Sequence, residues 1–471
     1  MSEAAKLDEI ASVEPSIPVR DEEDRLNPDF IAAVEAALQA QDQFGLRSLA
    51  GDLHEADTGD LLETLSAEER ADFIRLLGDD FDYTALTETD EAVRLQVLED
   101  LPNEVIAEGL EDLDSDDAVY ILEDLDEDDQ AAILEELPYA DRAQLQKALD
   151  YPEESAGRRM QSEFIAVAPF WTVGQTIDYM REARDLPDSF YEIYVVDPTF
   201  KLLGSVHLDK ILRTKRAEKV TSIMEETRQA VLATEDQEEV ARRFERYNLV
   251  SAAVVDENER LVGVLTVDDI VDVIQEEAEE DLRALAGVGD EEISDSVVTI
   301  ARSRLAWLVV NLGTAILASV VIALFEDTIE AMVALAVLMP IVASMGGNAG
   351  TQTMTVAVRG IATQELTARN MMRVLNREVL VSALNGVALA ILIGLTAWLW
   401  FASPGLGIVI AVAIIINMLF AGLSGLLIPL VLDRLNVDPA IASSVFVTTV
   451  TDVVGFFAFL GIAALWFGLP L

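Results

Sequence analysis

The chain has 471 residues and 85 acidic against 32 basic groups, for a net charge of −53; it has no cysteine, which excludes disulfides and thiolate metal sites. Residues 301–471 hold eight of the acidic groups and seven arginines, so the rest of the chain is a polyanion with 77 acidic and 25 basic groups. That balance argues against nucleic acid as a partner, whose phosphates need clustered basic groups, and suits a hard divalent cation, which prefers carboxylate oxygens.

Residues 1–24 read as an acidic, disordered tail, and nothing between Met1 and Asp29 has the apolar core of a signal peptide. Residues 25–150 read as short amphipathic helices with an internal repeat. Leu98-Glu99-Asp100-Leu101, Leu110-Glu111-Asp112-Leu113, Leu122-Glu123-Asp124-Leu125 and Leu134-Glu135-Glu136-Leu137 recur every 12 residues. One helix and turn per repeat predicts a small superhelix of right-handed type, each unit burying its leucines on the next. Asp114, Asp116 and Asp117, then Asp126, Asp128 and Asp129, suit helix N-termini as caps. His54 and His207 are too few for an imidazole cage and read as structural.

Tyr151-Pro152-Glu153-Glu154-Ser155-Ala156-Gly157 closes the helical pattern and opens a second domain, 151–275. There a strand–turn–strand–helix unit occurs twice, with Asp197 and Asp256, and Gly204 and Gly263, each 59 residues apart. This resembles a tandem pair of CBS domains. In such domains a Thr/Ser-x-x-Asp element can hold the phosphate and ribose of a nucleotide. Thr266-Val267-Asp268-Asp269 matches it in the second copy, which makes Thr266 and Asp269 candidate contacts for ATP or another adenine nucleotide. His207-Leu208-Asp209-Lys210, in the first copy, has lysine where the acid is expected. A strongly acidic connecting segment follows over 276–301. The acidic helix that leads into it, Ile270 to Ala286, with the residues just before that helix, offers Asp268, Asp269, Asp272, Glu276, Glu277 and Glu280 as cation ligands.

The uncharged runs at about 305–325, 331–358, 379–401, 407–432 and 441–467 predict five membrane spans within a domain of residues 302–471. All seven arginines then fall on one side, which places the N-terminal part in the cytoplasm and the C-terminus outside a cell (inner) membrane. The second span contains Pro340 and Gly346-Gly347-Asn348-Ala349-Gly350-Thr351-Gln352, a composition that permits a helix break or a close helix approach. In the fifth, Asp452 is the one charge between Pro439 and Leu471, and Ser444, Thr448, Asp452 and Gly455 share a helical face. An ionisable group inside a span is a functional candidate by default. Asp452, Thr448 and Asn348 therefore read as lining an ion path, with Asp438 on the loop before it. Asn311, Asn385 and Asn417 read as helix–helix contacts.

The order of an acidic helical repeat, a CBS pair, an acidic connector and five spans resembles the MgtE family of magnesium channels. The stretches Gly346–Gln352, Asp438-Pro439-Ala440…Thr448-Thr449…Asp452 and Tyr151–Gly157 look like its signatures. The family often has proline where this chain has Ser444-Val445. The resemblance implies a homodimer in the lipid bilayer, an ion path between subunits to which each contributes Asp452, and closure by cytoplasmic Mg2+. The fold class expected is multi-domain: an all-α acidic superhelix, an α/β CBS pair and an all-α polytopic membrane domain. The function expected is magnesium transport; an exchanger coupled to protons or sodium and a non-conducting membrane-anchored sensor are the alternatives. An enzyme is not expected, because no nucleophile–base constellation or phosphate loop is present.

Overall fold

The computed structural model describes residues 17–470 except 184–185, 188, 227–228, 287, 289–296, 368 and 436. It divides into two compact units, Met1–Ile274 and Gln275–Leu471. Most of the expected acidic tail, 1–16, lies outside the described residues. From residue 17 onward an arm leads into the first helix, and its Arg20 donates to Asp57 at 2.7 Å and Asp60 at 2.6 Å.

The first unit begins with α1 (Pro28–Gln39), α2 (Gln43–Ala50), α3 (Glu55–Thr64) and α4 (Ala67–Leu77). The repeat occupies α5 (Glu91–Asp100), α6 (Asn103–Glu111), α7 (Ser115–Glu123), α8 (Glu127–Glu136) and α9 (Tyr139–Leu149). The first leucine of each repeated tetrapeptide (Leu98, Leu110, Leu122, Leu134) falls at a helix end and is buried. A helix of nine or ten residues shows one narrow apolar stripe, so alternate helices meet: α6 packs on α8 and α7 on α9. That is the superhelix. Asp126 caps α8 by accepting from the N–H groups of Asp128 and Asp129 at 3.1 and 3.0 Å.

Two copies of one α/β unit follow. The first comprises β1 (Ala166–Val167), α10 (Val173–Glu182), β2 (Glu192–Val196), β3 (Leu202–His207) and α11 (Leu208–Arg213). The second comprises β4 (Val231–Leu232), α12 (Gln237–Tyr247), β5 (Ser251–Val255), β6 (Leu261–Thr266) and α13 (Val267–Ala286). Each sheet pairs its outer strand in parallel and its hairpin antiparallel, with Val195 opposite Gly204 in one and Val254 opposite Gly263 in the other. The hairpin turns match as well. Asp197 accepts from Thr199 and Lys201 N–H at 2.7 and 3.0 Å, and Asp256 from Asn258 and Arg260 N–H at 2.8 and 2.9 Å. A pair of aspartates found by spacing alone thus does one job twice, closing a tight turn.

The second unit holds the end of α13, then α14 (Val297–Ala323), α15 (Glu326–Ala331), α16 (Ala334–Ala362), α17 (Met371–Phe401), α18 (Pro404–Arg434) and α19 (Pro439–Phe467). Among the described residues five helices are long and apolar enough to cross a membrane: α14, α16, α17, α18 and α19. Several run past the uncharged stretches, because charged residues such as Arg359, Arg373 and Arg434 sit in their terminal turns. The middle of this unit is α18, which packs on α16, α17 and α19, while α14 leans on α19.

Pro340 lies inside α16 and the helix continues through it. Gly346 and Gly350 serve close approach instead of a break. A Cβ on Gly346 would stand 2.2 Å from the Asn417 Nδ2 of α18, and one on Gly455 of α19 would stand 2.7 Å from it. Asn417 is fully buried between these glycines, and its Nδ2 donates to the Val342 carbonyl at 2.8 Å. One amide therefore joins three helices. Asn311 and Asn385, by contrast, are exposed on the chain, so of these three asparagines the helix-contact role holds for Asn417.

Candidate metal sites and ion path

Two groups of carboxylates and polar side chains emerge, one in each unit. In the first unit, Thr266 ends β6 and its hydroxyl donates to the Asp269 carboxylate in the first turn of α13. Asp269 is half-buried, and close to it are Asp268 on the same turn and Asp116 and Asp117 at the start of α7. Burial pushes the Asp117 carboxyl up to about 7, and the charges of Asp269, Asp114, Asp82 and Asp268 push the same way. Asp269 is raised to about 6, again by burial first and then by Asp268 and Asp272, against the pull of Thr266. Asp116 lies well above the usual carboxylate range for the same reasons. Glu88 is also raised, by burial and then by Asp272. This seam of like charge joins the helical part to the second α/β copy.

Asp116 and Asp117 read from the sequence as helix caps. They do lie in the first turn of α7, where Asp116 accepts from the Asp117 N–H at 3.1 Å, and the Ser115 N–H at that end is served by another residue. Glu163 accepts from the Ser115 N–H at 3.2 Å and from its hydroxyl at 2.8 Å, and Gln144 of α9 donates to the other Glu163 oxygen at 2.5 Å. The two aspartates face the seam. Only the approach of a segment 150 residues away gives them that role, so no local pattern carried it.

Beside the seam is a region of satisfied charge. Arg94, almost fully buried, pairs with Asp124, donates to the carbonyls of Leu86 and Thr89 at 3.2 and 2.9 Å, and stands 4.6 Å from the Tyr120 ring centre. Arg159 lies 5.1 Å from the same ring and pairs with Glu123 at 3.2 Å. Arg94 thus braces the helical part from within, and the contact between the helical part and the α/β part is latched by Arg159 and self-repelling at the carboxylates.

The remaining predicted ligands of the connector are distributed along α13. Asp272 is exposed and belongs to the first unit, whereas Glu276, Glu277 and Glu280 are half-buried in the second. Within that second unit the end of α13 is apolar: Ala284 and Leu285 pack with Met354 and Val358 of α16 and Ala440 and Val447 of α19. Asp438 is exposed and caps α19, accepting from the Ala440 N–H at 2.7 Å, and its other carboxylate oxygen has no hydrogen bond among the described residues.

In the second unit α16 and α19 pack together, and each leaves a polar line uncovered. On α16 the line is Ser344, Asn348, Thr351, Gln352 and Thr355, all exposed. On α19 it is Ser444, Thr448 and Asp452: Thr448 is exposed and donates to the Ser444 carbonyl at 2.9 Å, while Ser444 and Asp452 are half-buried. Gly455 turns inward to Asn417 and is not part of the line. Polar groups left bare in hydrocarbon cost several kcal/mol each, so these faces require water or a second protein surface. Among the described residues of one chain, no three acidic or histidine side chains converge to hold a metal ion.

Both histidines have local partners. His54 caps α3 by accepting from the Ala56 N–H at 3.3 Å, and His207 meets Glu192 at 3.0 Å. Lys210, standing where a nucleotide site would have an acid, donates to Glu225 at 2.7 Å. Thr266 also borders a cavity between the two α/β copies, with Tyr194, Ser251 and Glu163. At about 10 Å³ it has room for no more than one water.

The divalent cation transporter (MgtE) family model matches residues 339–462, the MgtE intracellular N domain model 53–154 and the CBS domain model 220–276. The magnesium transporter MgtE of Bacillus subtilis (strain 168) is 34% identical over 313 residues, 66% of this chain and 69% of its own length. The chain belongs to the MgtE family. The MgtE of Thermus thermophilus is 36% identical over 316 residues, 66% of this chain and 70% of that protein. A crystal structure of the cytosolic domain of the Mg2+ channel MgtE in complex with ATP is 31% identical, covering 52% of this chain and 99% of that one with a TM-score of 0.49. In MgtE terms, the acid seam falls within the N domain and CBS matches, and Asn348, Asp438, Thr448 and Asp452 all fall within the transporter match.

Proposed function

We propose that this MgtE-family protein moves Mg2+ across the cell (inner) membrane through a path lined by the polar faces of α16 and α19, without catalysing a reaction. The observation that carries the reading is the line of exposed Asn348, Gln352 and Thr448, with half-buried Asp452, on two packed helices long and apolar enough to cross a membrane. Magnesium gives up its waters reluctantly and takes an octahedral oxygen shell. A path for the hydrated ion needs acceptors spaced for its waters and a single attracting charge, not a closed cage that would retain it. Asn348, Thr448 and Asp452 supply those, and a second copy of the chain, facing the first as a homodimer, would double the carboxylate and cover the polar faces.

Regulation by cytoplasmic Mg2+ is part of the proposal. The crowded carboxylates Asp116, Asp117, Asp268, Asp269 and Asp272 repel one another when no cation is present, and a divalent ion among them offsets that repulsion. Differential affinity for the closed-up seam then shifts the population toward it. Within the second unit Glu276, Glu277 and Glu280 are further candidate ligands on the part of α13 whose apolar end bears on α16 and α19, and Asp438 adds a carboxylate at the mouth of the path. In this orientation the N-terminal part and the arginine-bearing helix ends face the cytoplasm and the C-terminus faces out. An adenine nucleotide at Thr266 and Asp269 is a further element; it requires the closed cleft beside Thr266 to open and the Thr266–Asp269 hydrogen bond to be exchanged.

Asp452→Ala is expected to abolish Mg2+ uptake in cells lacking other magnesium transporters while the protein still reaches the membrane. Uptake at the parental rate in that variant removes the pore role.

A further inference from the structure

Nearly all described arginines in the first unit have found a carboxylate, a carbonyl or an aromatic ring, as an excess of acid would lead one to expect. The turn between α16 and α17 is different. Arg369 precedes α17 and Arg373 lies in its first turns; both are exposed, and neither has an ion pair among the described residues. Arg377, one turn further on, is held by Glu378 at 3.1 Å. Every basic residue from 301 to 471 is arginine and none is lysine. The planar guanidinium binds phosphate oxygens in pairs, which an ammonium cannot.

The face on which Arg373 stands is the second observation. At 3.6 residues per turn, Leu380, Leu384 and Ile391 lie within about 20° of the Arg373 direction. Their fractional exposures are 70%, 73% and 65%. With a rise of about 1.5 Å per residue, Leu380 stands about 10 Å and Ile391 about 27 Å above Arg373. One face of α17 therefore presents, from its end inward, the Arg373 guanidinium, without an ion pair among the described residues, and then an apolar line, with Arg369 on the turn just before the helix. The helix packs chiefly on α18, away from the polar lines of α16 and α19.

We infer that Arg369, Arg373 and the α17 line Leu380–Leu384–Ile391 form a binding site for one anionic phospholipid of the adjacent leaflet. Its phosphate is held by the two guanidinium groups and an acyl chain lies along the leucines. The site does not depend on the pore reading, because it lies on a different helix and involves none of the residues proposed to carry the ion.

The test uses the full-length protein in nanodiscs of phosphatidylcholine doped with phosphatidylglycerol, followed by native mass spectrometry of the lipids that stay bound after release. The native chain should retain phosphatidylglycerol in preference to phosphatidylcholine. Arg369→Gln with Arg373→Gln should lower that retention about tenfold or more, as expected for losing charge-assisted hydrogen bonds. Arg434→Gln, at another helix end, should leave it unchanged. Arg369→Lys with Arg373→Lys keeps the net charge and membrane insertion and should give an intermediate loss, so the site stays testable if the glutamine variant inserts poorly. Equal retention of the two lipids by the native chain, lysine and glutamine variants that retain as much as the native chain, or full displacement of phosphatidylglycerol by excess inorganic phosphate would overturn the assignment.

Discussion

The two units use charge in opposite ways. In the membrane unit charge is scarce, so a single carboxylate in α19 and two amides on α16 stand out against the apolar sequence before any coordinates are known. In the acidic unit carboxylates are everywhere, and many cap helices, close turns or pair with arginine. What singles out Asp116, Asp117 and Asp269 there is crowding at the seam between two folded parts, and crowding is a property of three dimensions. Rarity can be read from a sequence; convergence cannot.

The contrast within the acidic unit, between satisfied and unsatisfied charge, is open to direct attack. Arg94→Ala should be the most damaging substitution. It leaves Asp124 half-buried without its partner and removes the bonds to Leu86 and Thr89, at a cost of about 3–5 kcal/mol. Chemical denaturation would read this, and a loss below about 1 kcal/mol would mean that Arg94 is not a principal support of the helical part.

In the membrane unit the corresponding support is uncharged. Gly346→Ala puts a methyl group against the Asn417 amide and should cost about 1–3 kcal/mol by forcing the three helices apart. Thermal unfolding in detergent measures it. Gly347→Ala, at a glycine with open space around it, should be close to neutral.

The seam should behave as a regulator and not as a support. Asp116→Asn with Asp117→Asn removes repulsion without removing volume. Protease protection of the full chain in the absence of Mg2+ should then rise toward the level the native chain reaches only with Mg2+. A variant that still needs the same Mg2+ concentration would detach the seam from metal sensing.

Acidification should do the same more weakly. Carboxyls raised above their ordinary value favour the docked seam at low pH, and that contribution is lost as pH rises through the range of about 6 to 7 set by Asp269 and Asp117. Without Mg2+, protection should therefore be greater at about pH 5 than at about pH 8, and saturating Mg2+ should erase the difference. No change with pH would show that these groups do not crowd one another in solution.

Much of the architecture was legible because its signals are periodic. The 12-residue leucine repeat marks helix ends, the 59-residue offset marks the doubled hairpin, and uncharged runs mark the spans. The glycines of α16 could be recognised as unusual, but their meaning needed Asn417 of α18 in place between Gly346 and Gly455. Gly455 shares a helical face with Asp452 by spacing, yet it turns toward Asn417 because α18 packs there. Asp438 shows the reverse limit. Its position before Pro439 suits a helix cap as well as a ligand, and the fold uses one of its oxygens for the cap.

The central claim is that the lines through Asn348 and Thr448 face water in the membrane. Because the chain has no cysteine of its own, single cysteines can be placed without background. Asn348→Cys and Thr448→Cys should react with a charged, membrane-impermeant thiosulfonate much faster than Leu384→Cys on the outer face of α17, and added Mg2+ should slow both reactions. Rates at 348 and 448 no faster than at 384, or unaffected by Mg2+, would contradict it.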